Sequence, residues 1–266
     1  MAYALVTGGS SGMGLEYSRQ LAAKGYDILM VSNRQDQLDV EAPALAAESG
    51  VKVVPLNMDL AAPSAAATLL EKVDELDAFP EVLVHNAGMF FFLEMNPSLL
   101  LKAEAMMRLH IEFVTSSVVL FSDRMKQKGS GRILIVSSMV ARIPAPGIAV
   151  YSASKAYLRC FGEAMYYELK PYGVTVTTVC PAAVDTPLYG IPDKTRRTLR
   201  RLRIIHSPAW LVRRALRALF RGRCRVSPSS MNTYLPALVA LLPPPLEAWI
   251  WKRLKPKLGK AGIIKQ

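Results

Sequence analysis

Short runs of consecutive apolar residues alternate along this chain with longer stretches whose apolar positions recur at helical spacing. The runs are rich in Val, Ile and Leu and carry few polar residues, the pattern of strands buried on both faces. Residues Tyr3 to Arg34, YALVTGGSSGMGLEYSRQLAAKGYDILMVSNR, read as strand, Gly-rich turn, helix and strand. A helix from Gln35 to Ser49, a short strand in VKVVPLNMDL, a helix from Ser64 to Leu76 and a strand from Glu81 to Gly88 follow. A long helix is expected from about Pro97 to Lys128. GRILIVSS then forms a strand ending at Ser138, and a helix spans Tyr151 to Lys170. Val174 to Gly190, VTVTTVCPAAVDTPLYG, is a buried strand that opens into a loop. This alternation predicts an α/β fold, one doubly wound parallel sheet with helices on both faces.

The first turn adds chemistry to that frame. Gly8, Gly12 and Gly14 stand behind Thr7 in TGGSSGMG, between a strand and a helix. Glycines there let backbone approach a pyrophosphate closely, with a helix N-terminus aimed at it, as in Rossmann-type nucleotide sites. Ser10, Ser11 and Met13 belong to the same turn. The second strand ends at Asn33 and Arg34, with no acid where a ribose 2′-hydroxyl would be met. An Arg there suits a 2′-phosphate and favours NADP over NAD, or it is simply solvated at a helix start. Asp59 either accepts from an adenine amino group or caps the following helix.

Ser138, Tyr151 and Lys155 carry the candidate catalysis. Tyr151 and Lys155 are four apart on one helix face. A phenol titrates near ~10, too high to move protons readily at neutral pH, and an ammonium one turn away lowers that value. Ser138, at the end of a neighbouring strand, can hydrogen-bond a substrate oxygen held over the phenol. Together they make acid/base equipment for a carbonyl or a secondary alcohol.

The chain has 266 residues, 51% of them hydrophobic and 20% charged, which fits a globular protein able to bury a sizeable core. Three cysteines without CxxC spacing argue for a reducing compartment and against a disulfide framework or a zinc site. A strand begins at once, without a basic n-region or cleavage site. No signal peptide is therefore expected, and a cytoplasmic location is. The net charge of +12 is uneven: residues 194–266 hold 18 Lys or Arg and one acid, Glu247, a net of +17, and residues 1–193 carry −5. Ser207-Pro208 reads as cap and first turn of an amphipathic helix. The last apolar stretch is broken by Pro236 and Pro243–Pro245, too short to span a bilayer, and ends in Trp249, Trp251 and basic residues. That composition fits in-plane contact with an anionic membrane surface. Packing on the protein's own substrate pocket, or on a dimer partner, is the other reading. No nucleic-acid-binding motif is present. Residues 1–190 are expected to form the NADP-binding catalytic core. Residues 191–230 add a substrate-side helical segment and the last strand of the same domain, and 231–266 form a C-terminal extension.

TGGSSGMG, HNAG, Ser138, YSASK and the CPAAVDT loop stand in the order and spacing of the short-chain dehydrogenase/reductase family. The resemblance covers about residues 1–190. The general style of the sequence, with its basic and apolar tail, looks most like the branch with hydroxysteroid and 3-ketoacyl or 3-ketosphinganine reductases. The resemblance implies that Tyr151 is the acid/base, that Lys155 holds the nicotinamide ribose and lowers the Tyr151 pKa, and that Ser138 orients the substrate carbonyl. It places Thr7, Gly8, Gly12 and Gly14 at the pyrophosphate, and Asn86 with Ala87 and Gly88 along the cofactor groove. Pro181, Val184 and Thr186 fall near the nicotinamide, and Asp59 near the adenine. His110 stands where the family has an Asn that holds a relay water, so a weakened or rerouted proton relay through His110 is expected. His85 replaces the first Asn of the family's NNAG, and Ala182 its usual Gly. The implied protein is a homo-oligomeric, NADPH-dependent enzyme interconverting a ketone and a secondary alcohol on a lipophilic substrate. A non-catalytic NADP-binding or membrane-surface protein of the same fold is the alternative.

Overall fold

The computed structural model describes residues 2–92, 94–182, 184–185, 205–228, 234, 236, 238–239 and 241–260. Seven parallel strands form one sheet in the order β3-β2-β1-β4-β5-β6-β7. They are β1 (Tyr3–Thr7), β2 (Asp27–Ser32), β3 (Val53–Asn57), β4 (Pro80–His85), β5 (Gly131–Val136), β6 (Val174–Val179) and β7 (Arg225–Val226). The edge strands tolerate what inner ones do not. β3 holds Pro55, which cannot donate to a ladder, and β7 has only two residues.

Side-chain alternation along each strand feeds two apolar layers. On one face Leu5, Leu29, Leu83, Ile133 and Ile135 pack against α3 (Ala65–Glu75), α5 (Phe113–Lys128) and α6 (Ala149–Leu169). On the other, Val6, Met30, Val84, Leu134 and Val136 pack against α1 (Gly12–Ala22), α2 (Gln35–Ser49) and α7 (Pro208–Phe220). Burial on both sides explains why these strands read as near-continuous hydrophobic runs. Strand order reverses between β1 and β4, so the carboxyl ends of these two strands open the crevice where such sheets bind ligands.

The expected helices fall close to their predicted bounds, and Ser207 caps α7 by accepting the Trp210 N–H at 3.4 Å. Two differences bear on the site. β5 ends at Val136, and Ser138 instead caps the short 3₁₀ turn Met139–Arg142. The long helix divides into α4 (Leu100–Met107), a π-helical turn Arg108–Glu112 and α5. Pro97–Lys128 is apolar and long enough to cross a bilayer, yet its inward residues Phe113, Val118, Phe121 and Met125 belong to the core under the sheet. Past α7, α8 (Pro244–Lys260) forms the C-terminal helix.

Candidate active site

Thr7 closes β1 and ties it to β4. Its Oγ1 donates to Val84 O at 3.2 Å and accepts the N–H groups of Asn86 and Ala87 at 3.0 Å each, and Asn86 Nδ2 donates to Thr7 O at 3.1 Å. Gly8 follows with φ +64, and Gly14 presses against it: a Cβ at Gly14 would lie 1.8 Å from Gly8 O. Only glycine brings the start of α1 this close to the turn, so the turn forms a backbone cradle at a helix N-terminus. Gly12 enters α1 at φ +53, Ser11 is its exposed N-cap and Met13 is half-buried. Ser10 is buried, with its Oγ 2.8 Å from Ser32 Oγ and 3.1 Å from Gln37 Oε1. The residues present fit a dinucleotide, because Gly8, Gly12 and Gly14 offer only backbone at this turn.

The expectation of an Arg34 with no acid beside it needs correcting. Asp36, in the first turn of α2, accepts from Arg34 Nε at 3.1 Å and from Nη2 at 2.9 Å. The helix N-terminus favours a carboxylate there, and the chain bends so that the guanidinium at the cap meets it. Arg34 and Asn33 are both exposed. Asp59 is exposed as well, and its Oδ1 accepts the Ala61 N–H at 2.9 Å, closing a local turn; the N-cap position of α3 is Ser64, so Asp59 does not cap that helix.

Tyr151 and Lys155 sit on the buried face of α6, 6% and 4% exposed. Lys155 Nζ donates to Val136 O at 2.9 Å and lies 5.6 Å from the Tyr151 ring centroid. Burial brings the Lys155 ammonium down to about 8. Ser137, next to the candidate serine, donates to Lys155 O at 2.6 Å and so clamps α6 to the end of β5. Ser138 is buried, and its Oγ accepts the Val140 N–H at 3.4 Å. Pro181 O accepts from Met139 N at 2.8 Å, so the loop after β6 braces the Ser138 turn. Val184 points elsewhere. It is 2% exposed within the cluster around Leu211 and Val212, and it bridges His206. Thr186 lies outside the described residues.

His110 enters this site from the π turn. Its Nε2 accepts the Met89 N–H at 3.1 Å, which puts the ring proton on Nδ1, 2.9 Å from Ser154 Oγ. Ser154 Oγ in turn donates to Tyr151 O at 2.9 Å. Burial, with the Lys155 charge second, holds the imidazole well below its ordinary pKa. A rerouted relay through His110 asks for a ring nitrogen able to exchange a proton, and both are engaged with the fold. Gly88 fits between them: a Cβ there would lie 3.1 Å from His110 Nε2 and 3.7 Å from Lys155 Nζ. The other substituted position, His85, is buried against Phe113 with ring centroids 5.8 Å apart. Burial pushes it down to about 3, and neither ring nitrogen finds a partner among the described residues.

A third apolar cluster surrounds the phenol. Tyr151, Met106 and Ile148 pack with Met89, Phe90, Phe91, Phe92 and Val140. Phe90 stands edge-on to Tyr151, with centroids 5.0 Å apart and planes at 89°. Sequence reasoning missed Ser154 and Ser137. Each is an ordinary serine in sequence, and only its long-range partner, His110 or the Lys155 carbonyl, gives it a role.

The described side chains thus put a buried Tyr–Lys pair and the serine that caps the turn after β5 next to a glycine cradle, the arrangement of a nicotinamide-dependent oxidoreductase. A family model for short chain dehydrogenases matches residues 2–195. The 17-beta-hydroxysteroid dehydrogenase type 3 of Danio rerio is 29% identical over 195 residues, covering 71% of this chain and 62% of that protein. A very-long-chain 3-oxoacyl-CoA reductase of Aspergillus fumigatus is 32% identical over 202 residues, 74% of this chain and 56% of that one. This chain therefore spans only about 56–62% of the length of these two relatives. The corresponding reductase of Neurospora crassa is 31% identical over 242 residues, 88% of this chain and 68% of its own. Among solved structures, a short-chain dehydrogenase from Sphingobium yanoikuyae in complex with NADPH superposes with a TM-score of 0.78 at 27% identity, covering 92% of this chain and 97% of that one. A 7beta-hydroxysteroid dehydrogenase at 22% identity and TM-score 0.79 shares the fold. With the family model matching well over half its length, this chain belongs to the short-chain dehydrogenase/reductase family, whose members bind NAD(P).

Proposed function

We propose that this protein is an NADPH-dependent reductase of an apolar ketone. The observation that carries the reading is the buried Tyr151–Lys155 pair, its phenol set in a phenylalanine-rich cluster. In this reading Tyr151 gives its proton to the carbonyl oxygen. Ser138 donates a second hydrogen bond to that oxygen and holds it over the phenol. The Lys155 ammonium, buried where its field is little screened, favours the phenolate that forms. When bound, the nicotinamide supplies the hydride. Thr7, Gly8, Gly12, Gly14 and Asn86 would hold the cofactor, with Arg34 on the 2′-phosphate once it leaves Asp36. An ion pair this exposed is weak and screened by solvent, so a doubly charged phosphate can compete for the guanidinium. His110 is a positioning residue here, fixing Ser154 and the loop at Met89.

The apolar surround of Tyr151 supports a lipophilic substrate, and the three named relatives point the same way: one is called a hydroxysteroid dehydrogenase, the other two very-long-chain 3-oxoacyl-CoA reductases. We also infer reversible contact with an anionic lipid surface through the C-terminal helix. Trp249 is 52% exposed with Arg253 stacked 4.4 Å from its ring, and Leu246 and Leu254 are exposed beside it. Near anionic lipid each Lys or Arg adds about 1 kcal/mol, so binding should fall as salt rises.

NADPH oxidation, followed by absorbance with a steroid ketone, a 3-oxoacyl thioester and 3-ketosphinganine, tests the reading. Turnover of at least one apolar ketone above the ketone-free rate is expected. NADPH binding without oxidation by any of them would favour a non-catalytic nucleotide-binding protein. Co-sedimentation with anionic vesicles at low salt tests the surface contact separately.

A further inference from the structure

The C-terminal helix is not merely appended to the fold. Lys255 Nζ of α8 donates to Glu94 Oε2 at 2.7 Å. That bond and the Lys255 charge hold the Glu94 carboxylate below its usual range. The Trp251 ring stacks on Phe92, with centroids 6.4 Å apart and planes at 28°. Phe92 meets Phe90 edge-on at 6.5 Å, and Phe90 meets Tyr151 at 5.0 Å. Phe92 also presses on the loop after Ser138, where a Cβ at Gly147 would lie 2.5 Å from its ring. One aromatic ring is thus gripped by three segments: the loop after β4, the loop that carries Ser138, and α8. Glu94 and Lys255 are each about half exposed, at 51% and 48%, and such ion pairs open readily. The aromatic contacts are closer to the core and give the helix its seat.

We propose that α8 is a removable wall of the substrate cleft, with Trp251 setting how large an apolar group fits beside Tyr151 and the Lys255–Glu94 pair acting as its latch. This rests on the reading of the site as a reductase of apolar ketones. A substrate with a long or bulky apolar arm must displace Trp251 from Phe92, while a small ketone reaches the phenol with the wall in place. Lys255 is also one of the cations that an anionic surface would attract, so the latch loosens where such substrates reside.

The test uses the full chain with NADPH, comparing acetoacetyl-CoA and 3-oxohexadecanoyl-CoA, in Trp251→Ala, in Lys255→Glu and in the charge swap Glu94→Lys with Lys255→Glu. The kcat/KM ratio of long to short substrate should rise about tenfold or more in the first two, the scale of discrimination an apolar pocket provides. The swap should return it to the wild-type value, which a merely structural role of either charge does not predict. A readout independent of activity keeps Trp251 as the sole tryptophan, with Trp210→Phe and Trp249→Phe. Acrylamide quenching of its emission should increase with Lys255→Glu and reverse in the swap. Unchanged ratios in a turning-over enzyme, or quenching that ignores Lys255→Glu, overturn the wall. If neither thioester is reduced, the same ratio is read between the best apolar ketone of the panel above and acetone, and a wild-type enzyme that reduces none of these ketones instead overturns the reading of the substrate on which the wall rests.

Discussion

His110 Nε2 accepts the Met89 N–H while its Nδ1 faces Ser154 Oγ, so a single imidazole ties the loop after β4 to the helix carrying Tyr151 and Lys155. Replacing it with Phe fills the space but takes the bond from the half-buried Met89 N–H and from the buried Ser154 hydroxyl. Each such loss costs about 1–3 kcal/mol, so urea unfolding of His110→Phe should show a clear drop in midpoint. His110→Asn keeps one of the two bonds and should fall between. A His110→Phe midpoint equal to wild type would mean that the imidazole does not position these groups.

Two neutral, buried histidines also set a pH dependence. His85 is brought down to about 3 and His110 well below 6.5, both by burial first. Unfolded, each titrates near ~6.5, so below that pH the unfolded chain binds more protons than the folded one. Stability is therefore full above about pH 6.5 and is lost as pH falls, by about 1.4 kcal/mol per pH unit for each histidine once well below 6.5. His85→Asn, which puts back the family's residue, should remove one such contribution from the slope between pH 6 and 4.5. A slope identical to wild type would show that His85 is not the group being charged.

Cofactor choice turns on the Arg34–Asp36 pair. Asp36→Asn frees the guanidinium and should tighten NADPH while leaving NADH nearly unchanged. Arg34→Ala should weaken NADPH far more than NADH, since the charge-assisted contact exists only for the 2′-phosphate. Fluorescence titration of both cofactors decides the matter. Equal effects on the two would make the pair a surface feature only.

Lys155 gives the rate its own pH limit. Its ammonium, brought down to about 8 by burial, is charged below that pH and neutral above it. If that charge supports the phenol, kcat/KM for ketone reduction should fall as pH rises through about 8. A flat profile across that range would detach Lys155 from the chemistry.

Much of this was legible in the sequence because its signals are local. The strand runs, the glycine spacing at Gly8, Gly12 and Gly14, and the four-residue step from Tyr151 to Lys155 each lie within one or two elements, and the structure returns them close to where they were expected. What could not be read depends on distant partners. The engagement of His110 needs Ser154, 44 residues away, and the seat of α8 needs Glu94, 161 residues before Lys255. Asp36 is a different case. It stands two residues from Arg34 in plain view, but whether their side chains meet is decided by the backbone at the α2 cap and not by composition.

The central claim is that Tyr151 is the proton donor in a working reductase, and the Tyr151→Phe variant tests it most directly. NADPH oxidation with the best apolar ketone should fall by about 10²–10⁴-fold or more, because general acid help is lost while the ring and its packing on Phe90 remain. NADPH affinity, titrated on the same preparation, should stay near wild type. Turnover in Tyr151→Phe within about threefold of wild type would contradict the account, since a lost general acid cannot cost so little.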